Sequence, residues 1–75
     1  MAHSLAYVKE RRNLPFVKRG MRVCVEGRWG RITGGGASGN LNVRFDGDKF
    51  SSNCHPWWRI QYFDKDGKVI QEFGD

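Results

Sequence analysis

The chain has 75 residues, 39% of them hydrophobic and 28% charged, with Lys and Arg outnumbering Asp and Glu by 13 to 8. That describes one domain, too apolar for a disordered segment and small enough to bury only about 60–65% of the surface its unfolded form exposes, which argues against a deep enclosed active site. No stretch of about 18 apolar residues is present and the N-terminus has no apolar signal core, so a cytoplasmic protein with no membrane partner is expected.

Ser4 is read as the cap of a short helix over residues 4–13, its hydroxyl accepting a bond from an early backbone N–H. Leu5 and Val8 share one face of that helix, with Lys9, Arg11 and Arg12 outward. Pro15 ends it by pushing Leu14 out of helical geometry, and Phe16 and Val17 tether the segment to the body. Residues 1–19 thus form a basic N-terminal arm, and residues 20–73 the body of the domain.

From Met21 the hydrophobic period becomes two. Met21, Val23 and Val25 point one way, and Arg22, Cys24 and Glu26 the other. Gly27 and Gly30 bracket Arg28-Trp29, which predicts a tight bend there and a second strand at Arg31-Ile32-Thr33. A glycine-rich loop at 34–39 leads to a third strand at 40–46, in which Leu41, Val43 and Phe45 face inward. Asp46-Gly47 is a turn, after which Lys49-Phe50 opens a fourth strand. His55-Pro56 breaks the chain before an aromatic strand at 57–63, with Trp58, Ile60 and Tyr62 on one face. A second turn, Asp64-Lys65-Asp66-Gly67, leads to Val69-Ile70 and Phe73. The predicted core is Met21, Val23, Val25, Ile32, Leu41, Val43, Phe45, Trp58, Ile60, Tyr62 and one of Val69 or Ile70, while Trp29, Phe50, Trp57 and Phe63 are surplus to it. Five or six short antiparallel strands with glycine turns give a mainly all-β small barrel carrying a short N-terminal helix.

Gly20-x-Arg22-Val23-x-Val25-x-Gly27 followed by Gly30-x-Ile32 resembles the start of SH3-like barrels of the KOW and CAP-Gly kind. A longer combination is more particular: Gly30-Arg31-Ile32-Thr33-Gly34, then Leu41-x-Val43-Arg44-Phe45-Asp46-Gly47, then His55-Pro56-x-Trp58-x-Ile60-x-Tyr62. Over about residues 7–63 it resembles a group of small uncharacterised proteins of tailed phages and prophages. The resemblance implies an SH3-like, KOW-like barrel. KOW-type barrels bind RNA or ribosomal and transcription proteins and CAP-Gly barrels bind acidic peptide tails, but the CAP-Gly groove motif GKNDG is missing, so only the fold carries over.

Residues 34–39 satisfy the letters G-x-G-x-x-G, yet a strand follows them and no helix, so the βαβ context of a dinucleotide site is missing and a hairpin loop is the better reading. Cys24, Cys54, His55 and His3 are zinc-ligand types without the paired C-x₂₋₄-C spacing of structural zinc sites, so no metal or other cofactor is expected. The two cysteines are read as buried thiols, a single bridge between them being the lesser alternative. No nucleophile–base constellation is apparent, and neither an enzyme nor a small-molecule substrate is expected.

Charge distribution is the strongest functional signal. Residues 1–31 hold eight bases against Glu10 and Glu26, whereas residues 32–75 hold five bases against six acids. Such asymmetry points to a polyanion, nucleic acid above all, with DNA and RNA equally open. Arg22, Arg28, Trp29, Arg31 and Arg44 are assigned to the outward parity of the first three strands or their bend, and Arg11, Arg12, Lys18 and Arg19 extend the track along the arm. Arginines pair with phosphates in bidentate fashion, and an exposed tryptophan stacks on bases. The bland reading is a solvated face with Arg44 paired to Asp46 or Glu26. The alternative function is a protein-interaction adaptor, in which Phe50, Trp57 and Phe63 dock on a host or phage protein. A monomer is expected in either case.

Overall fold

A computed structural model describes residues 5–36 and 39–74. Ser4, His3 and the loop residues Ala37 and Ser38, invoked above, lie outside the described residues. The described residues form one short helix, α1 (Leu5–Arg11), and six strands: β1 (Arg22–Val25), β2 (Arg28–Gly35), β3 (Leu41–Phe45), β4 (Ser52–Cys54), β5 (Ile60–Phe63) and β6 (Val69–Phe73). All neighbouring strands pair antiparallel, in the order β4-β3-β2-β1-β5-β6.

The helix stops before Pro15 acts. Asn13 takes a positive φ of 57°, its N–H donates to the Glu10 carbonyl at 3.3 Å, and the Leu14 N–H donates to the Lys9 carbonyl at 2.9 Å. This is a Schellman end with asparagine in the left-handed position. It turns the chain back so that Leu14 and Val17 enter the core beside Val8. The segment predicted as an arm is therefore integral to the core at its buried positions, and its cations stand around the rim.

The first hairpin turns on two residues, Glu26 (φ 50°) and Gly27 (φ 83°). Positive φ at both central positions is the type I′ turn, whose twist matches that of antiparallel strands. The expected bend at Arg28-Trp29 is thus corrected: both residues belong to β2, which runs unbroken to a bulge between Ile32 and Gly34. Two further strand assignments also shift. Lys49 and Phe50 lie in the connection after β3, and the fourth strand begins at Ser52; the aromatic strand begins at Ile60 rather than at Trp57.

The core contains Met21, Val23, Ile32, Leu41, Val43, Phe45, Ile60 and Tyr62 as the alternation predicted, with Val25 half-buried against it. Trp58 is not in it: it is 51% exposed, because Arg59 adopts a positive φ of 51° and breaks the alternation one residue before β5. Val69 and Ile70 are both exposed, at 49% and 40%, since β6 is an edge strand. Phe63, expected to be surplus, is buried, its ring 4.7 Å from that of Trp29. Cys54 of β4 and Phe73 of β6, from opposite edges of the sheet, both pack against this one core. Tyr62 is its polar anchor, donating its hydroxyl to the Pro56 carbonyl at 2.6 Å, and burial raises its phenol well above the ordinary range. Both cysteines are free thiols. Among the described residues no helix is long and apolar enough to cross a membrane.

Candidate nucleic-acid interface

Strand register decides which outward residues meet. The two-residue turn sets Arg22 directly opposite Arg31, and β2–β3 pairing sets Arg31 directly opposite Arg44. Arginines of adjacent strands therefore form a row across β1, β2 and β3. Directly opposed like charges in a sheet are unfavourable, their Cβ atoms being only about 4.5–5.5 Å apart. One internal anion relieves one end: Arg22 donates two bonds to the Asp46 carboxylate, at 2.9 and 3.1 Å. That hydrogen-bonded pairing holds the Asp46 carboxyl below its ordinary value, desolvation opposing it and the charges of Arg22 and Arg31 adding to it. Arg31 and Arg44 are exposed and have no ion pair among the described residues, so the pairing of Arg44 with Asp46 or Glu26 that a merely solvated face would show does not form.

Trp29 stands on the same outward face, opposite Cys24. It is 44% exposed, yet its ring is flanked by Phe63 at 4.7 Å and by the Arg22 guanidinium at 5.3 Å. Such cation–π contact and ring packing hold the indole as a wall beside the arginines.

The row borders a cleft of about 550 Å³ between the chain entering β1 and the end of the β5–β6 hairpin. Lys18, Arg19, Arg22, Arg31 and Lys65 line it, with Asp64 as its acid. Arg19 is fixed there by donating to the Thr33 carbonyl. The Asp64 carboxylate is occupied by its own turn, accepting bonds from the Asp66 and Lys68 amides at 2.9 Å each. The floor is apolar, made by Phe16, Met21, Phe63 and Ile70. Lys65 escaped the sequence reading because it lies in a turn far along the chain, and only β1–β5 and β5–β6 pairing bring it to the cleft.

Three of the expected residues lie elsewhere. Arg28 has the opposite parity to Trp29 and Arg31: it pairs with Asp48 at 3.2 Å, and its guanidinium covers the Phe45 ring at 4.2 Å. Arg12 donates through Nε to the Gly39 carbonyl at 3.0 Å and lies over Trp57 at 5.2 Å, while Trp57 donates its indole N–H to the Arg12 carbonyl at 3.2 Å. Arg11 lies beside the same glycine: a Cβ on Gly39 would come within 3.1 Å of Arg11 Cδ, and the positive φ of 76° favours glycine there. These arginines clamp the helix end to the glycine loop.

The aromatic set expected for a protein partner does not assemble. Phe63 is buried, Trp57 is engaged by Arg12, and Phe50, 81% exposed, makes no ring contact with Trp57 among the described residues. No family model matches the chain, and neither a curated protein nor a solved structure matches it.

Proposed function

We propose that this protein is a non-enzymatic nucleic-acid-binding module of a phage or prophage, its sheet curled into a small SH3-like barrel and its outward β1–β2–β3 face bound to the phosphate backbone. The curling is supported by residues from both edge strands sharing one core. The observation that carries the binding reading is the arginine row, Arg22, Arg31 and Arg44, aligned by register and joined to the cations of the cleft. Within the row, Arg22 alone has an ion pair among the described residues, so a polyanion would supply countercharge to Arg31 and Arg44, and bidentate guanidinium–phosphate pairing suits phosphates that follow one another along a backbone.

The test is an NMR titration of the ¹⁵N-labelled protein with short DNA and RNA at low and moderate salt. Amide shifts should cluster at Lys18–Arg22, Arg31 and Arg44 and shrink as salt rises. Doubly substituting Arg31→Ala and Arg44→Ala should reduce the slope of log affinity against log salt by about 0.7–0.9 for each phosphate that is no longer neutralised. No shifts at low salt would refute the reading. A second reading, an adaptor for a host or phage protein, draws on the 81% exposure of Phe50, and it predicts partner capture that tolerates salt and fails in Phe50→Ala.

A further inference from the structure

The arginine row offers charge for phosphates, and the adjoining cleft adds an apolar surface to it. We propose that the cleft receives an unpaired nucleobase of a single-stranded nucleic acid, its flanking phosphates held by Arg22, Arg31 and Lys18; this rests on the nucleic-acid reading above.

Size comes first. At about 550 Å³ the cleft falls in the usual range for small-ligand sites, and it holds a base with its sugar. A duplex keeps its bases stacked inside the helix, so only a splayed, unpaired base can enter.

Chemistry comes second. A nucleotide is an apolar-faced ring beside an anion, and the cleft pairs an apolar floor with a cationic rim whose Asp64 carboxylate is turned into its own loop. Ile70 is left 40% exposed on that floor, where an entering ring can reach it.

The third point is exclusion. The sequence suggests Trp29 as the stacking platform, but Phe63 and the Arg22 guanidinium flank its ring. Apolar contact for a base is available from Ile70 and the half-buried Phe16 without displacing either neighbour. Trp29 then acts by holding Arg22 and Phe63 in place.

The experiment compares three fluorescein-labelled probes by anisotropy: an oligothymidylate, an abasic oligomer of the same length, and a duplex with the same number of phosphates. The oligothymidylate should bind about ten-fold more tightly than the abasic oligomer, the scale of one base placed on an apolar side-chain surface. Ile70→Ser, at an exposed position, should remove most of that advantage and leave abasic binding as in the wild type. Equal binding of all three probes, still weakened by salt and by Arg31→Ala, would overturn the base subsite and leave the phosphate interface standing. If Trp29→Ala abolishes the advantage and Ile70→Ser does not, the base stacks on the indole and the cleft assignment is wrong. Failure of every probe to bind at low salt would overturn both readings.

Discussion

Replacing Gly30 with alanine tests the geometry on which the arginine row depends. Gly30 is buried in β2 opposite Phe45, and a Cβ there would meet Val43 Cγ1 at 2.8 Å, the Arg44 carbonyl oxygen at 2.9 Å and Phe45 Cα at 3.1 Å. Two of those atoms are β3 backbone, so relief requires β2 and β3 to separate. Overpacking costs about 1–3 kcal/mol, and contacts under 3.0 Å that include backbone put this site in the upper half of that range, of which the intrinsic preference of a strand for alanine over glycine returns roughly 0.5–1. Gly30→Ala should therefore destabilise by about 1–2 kcal/mol, a large part of the roughly 4–11 kcal/mol expected for 75 residues. With a urea m-value of about 1 kcal/mol/M for so small a domain, the midpoint should fall by about 1–2 M. Gly34, in the same strand, is the control: a Cβ there meets nothing within 4 Å, so Gly34→Ala should leave the midpoint unchanged or raise it slightly. Urea denaturation followed by tryptophan fluorescence reads both. A Gly30→Ala midpoint at or above that of the wild type would refute the close β2–β3 approach, and with it the placement of Arg31 against Arg44.

Asp46→Asn frees Arg22 from its internal carboxylate and should tighten oligonucleotide binding in the anisotropy assay; unchanged or weaker binding would remove Arg22 from the interface. The same pair gives a pH dependence: the folded carboxyl is depressed below its ordinary value of 3.8, so the contribution is present above that value and is lost as pH falls below it, a loss absent from Asp46→Asn in acid denaturation. Tyr62 behaves oppositely. Its phenol is raised by burial above the ordinary 10.0, so its contribution is full below that value and is lost as pH rises beyond it. Tyr62→Phe should cost about 1–2 kcal/mol at neutral pH, by leaving the Pro56 carbonyl unpaired, and should unfold less steeply in alkali than the wild type.

Much of the core was legible because β3 alternates without interruption and β1 and β5 keep their apolar residues at every second position, so Val23, Leu41, Val43, Phe45, Ile60 and Tyr62 could be assigned to one face from period alone. The failures fall where a single backbone dihedral overrides that period. Arg59 at positive φ moves Trp58 to the surface, and arginine carries no signal for that conformation. Asn13 at positive φ turns the chain at the helix end and sends Leu14 inward, a burial that the sequence does not signal, beside Val17, whose tethering to the body was expected. Phe63 departs for another reason: parity puts it outward, and there the Trp29 ring packs against it from a different strand.

The candidate site shows the same division more sharply. Composition revealed a basic half, and parity put Arg22, Arg31 and Arg44 outward, but neither fixes which residues stand side by side. The hairpin does that. With the turn at Glu26-Gly27, Arg22 faces Arg31; had the bend fallen at Arg28-Trp29, the same alternation would have set Arg22 opposite Gly35. The cations would then be scattered along the face instead of aligned across it. The choice rests on Glu26 accepting a positive φ beside Gly27, and the Arg59 backbone supports it: its carbonyl accepts the Glu26 N–H at 3.0 Å, while its guanidinium donates to the Glu26 carboxylate at 3.2 Å. A tertiary contact thus supports the register, and the register makes dispersed arginines into a row across three strands.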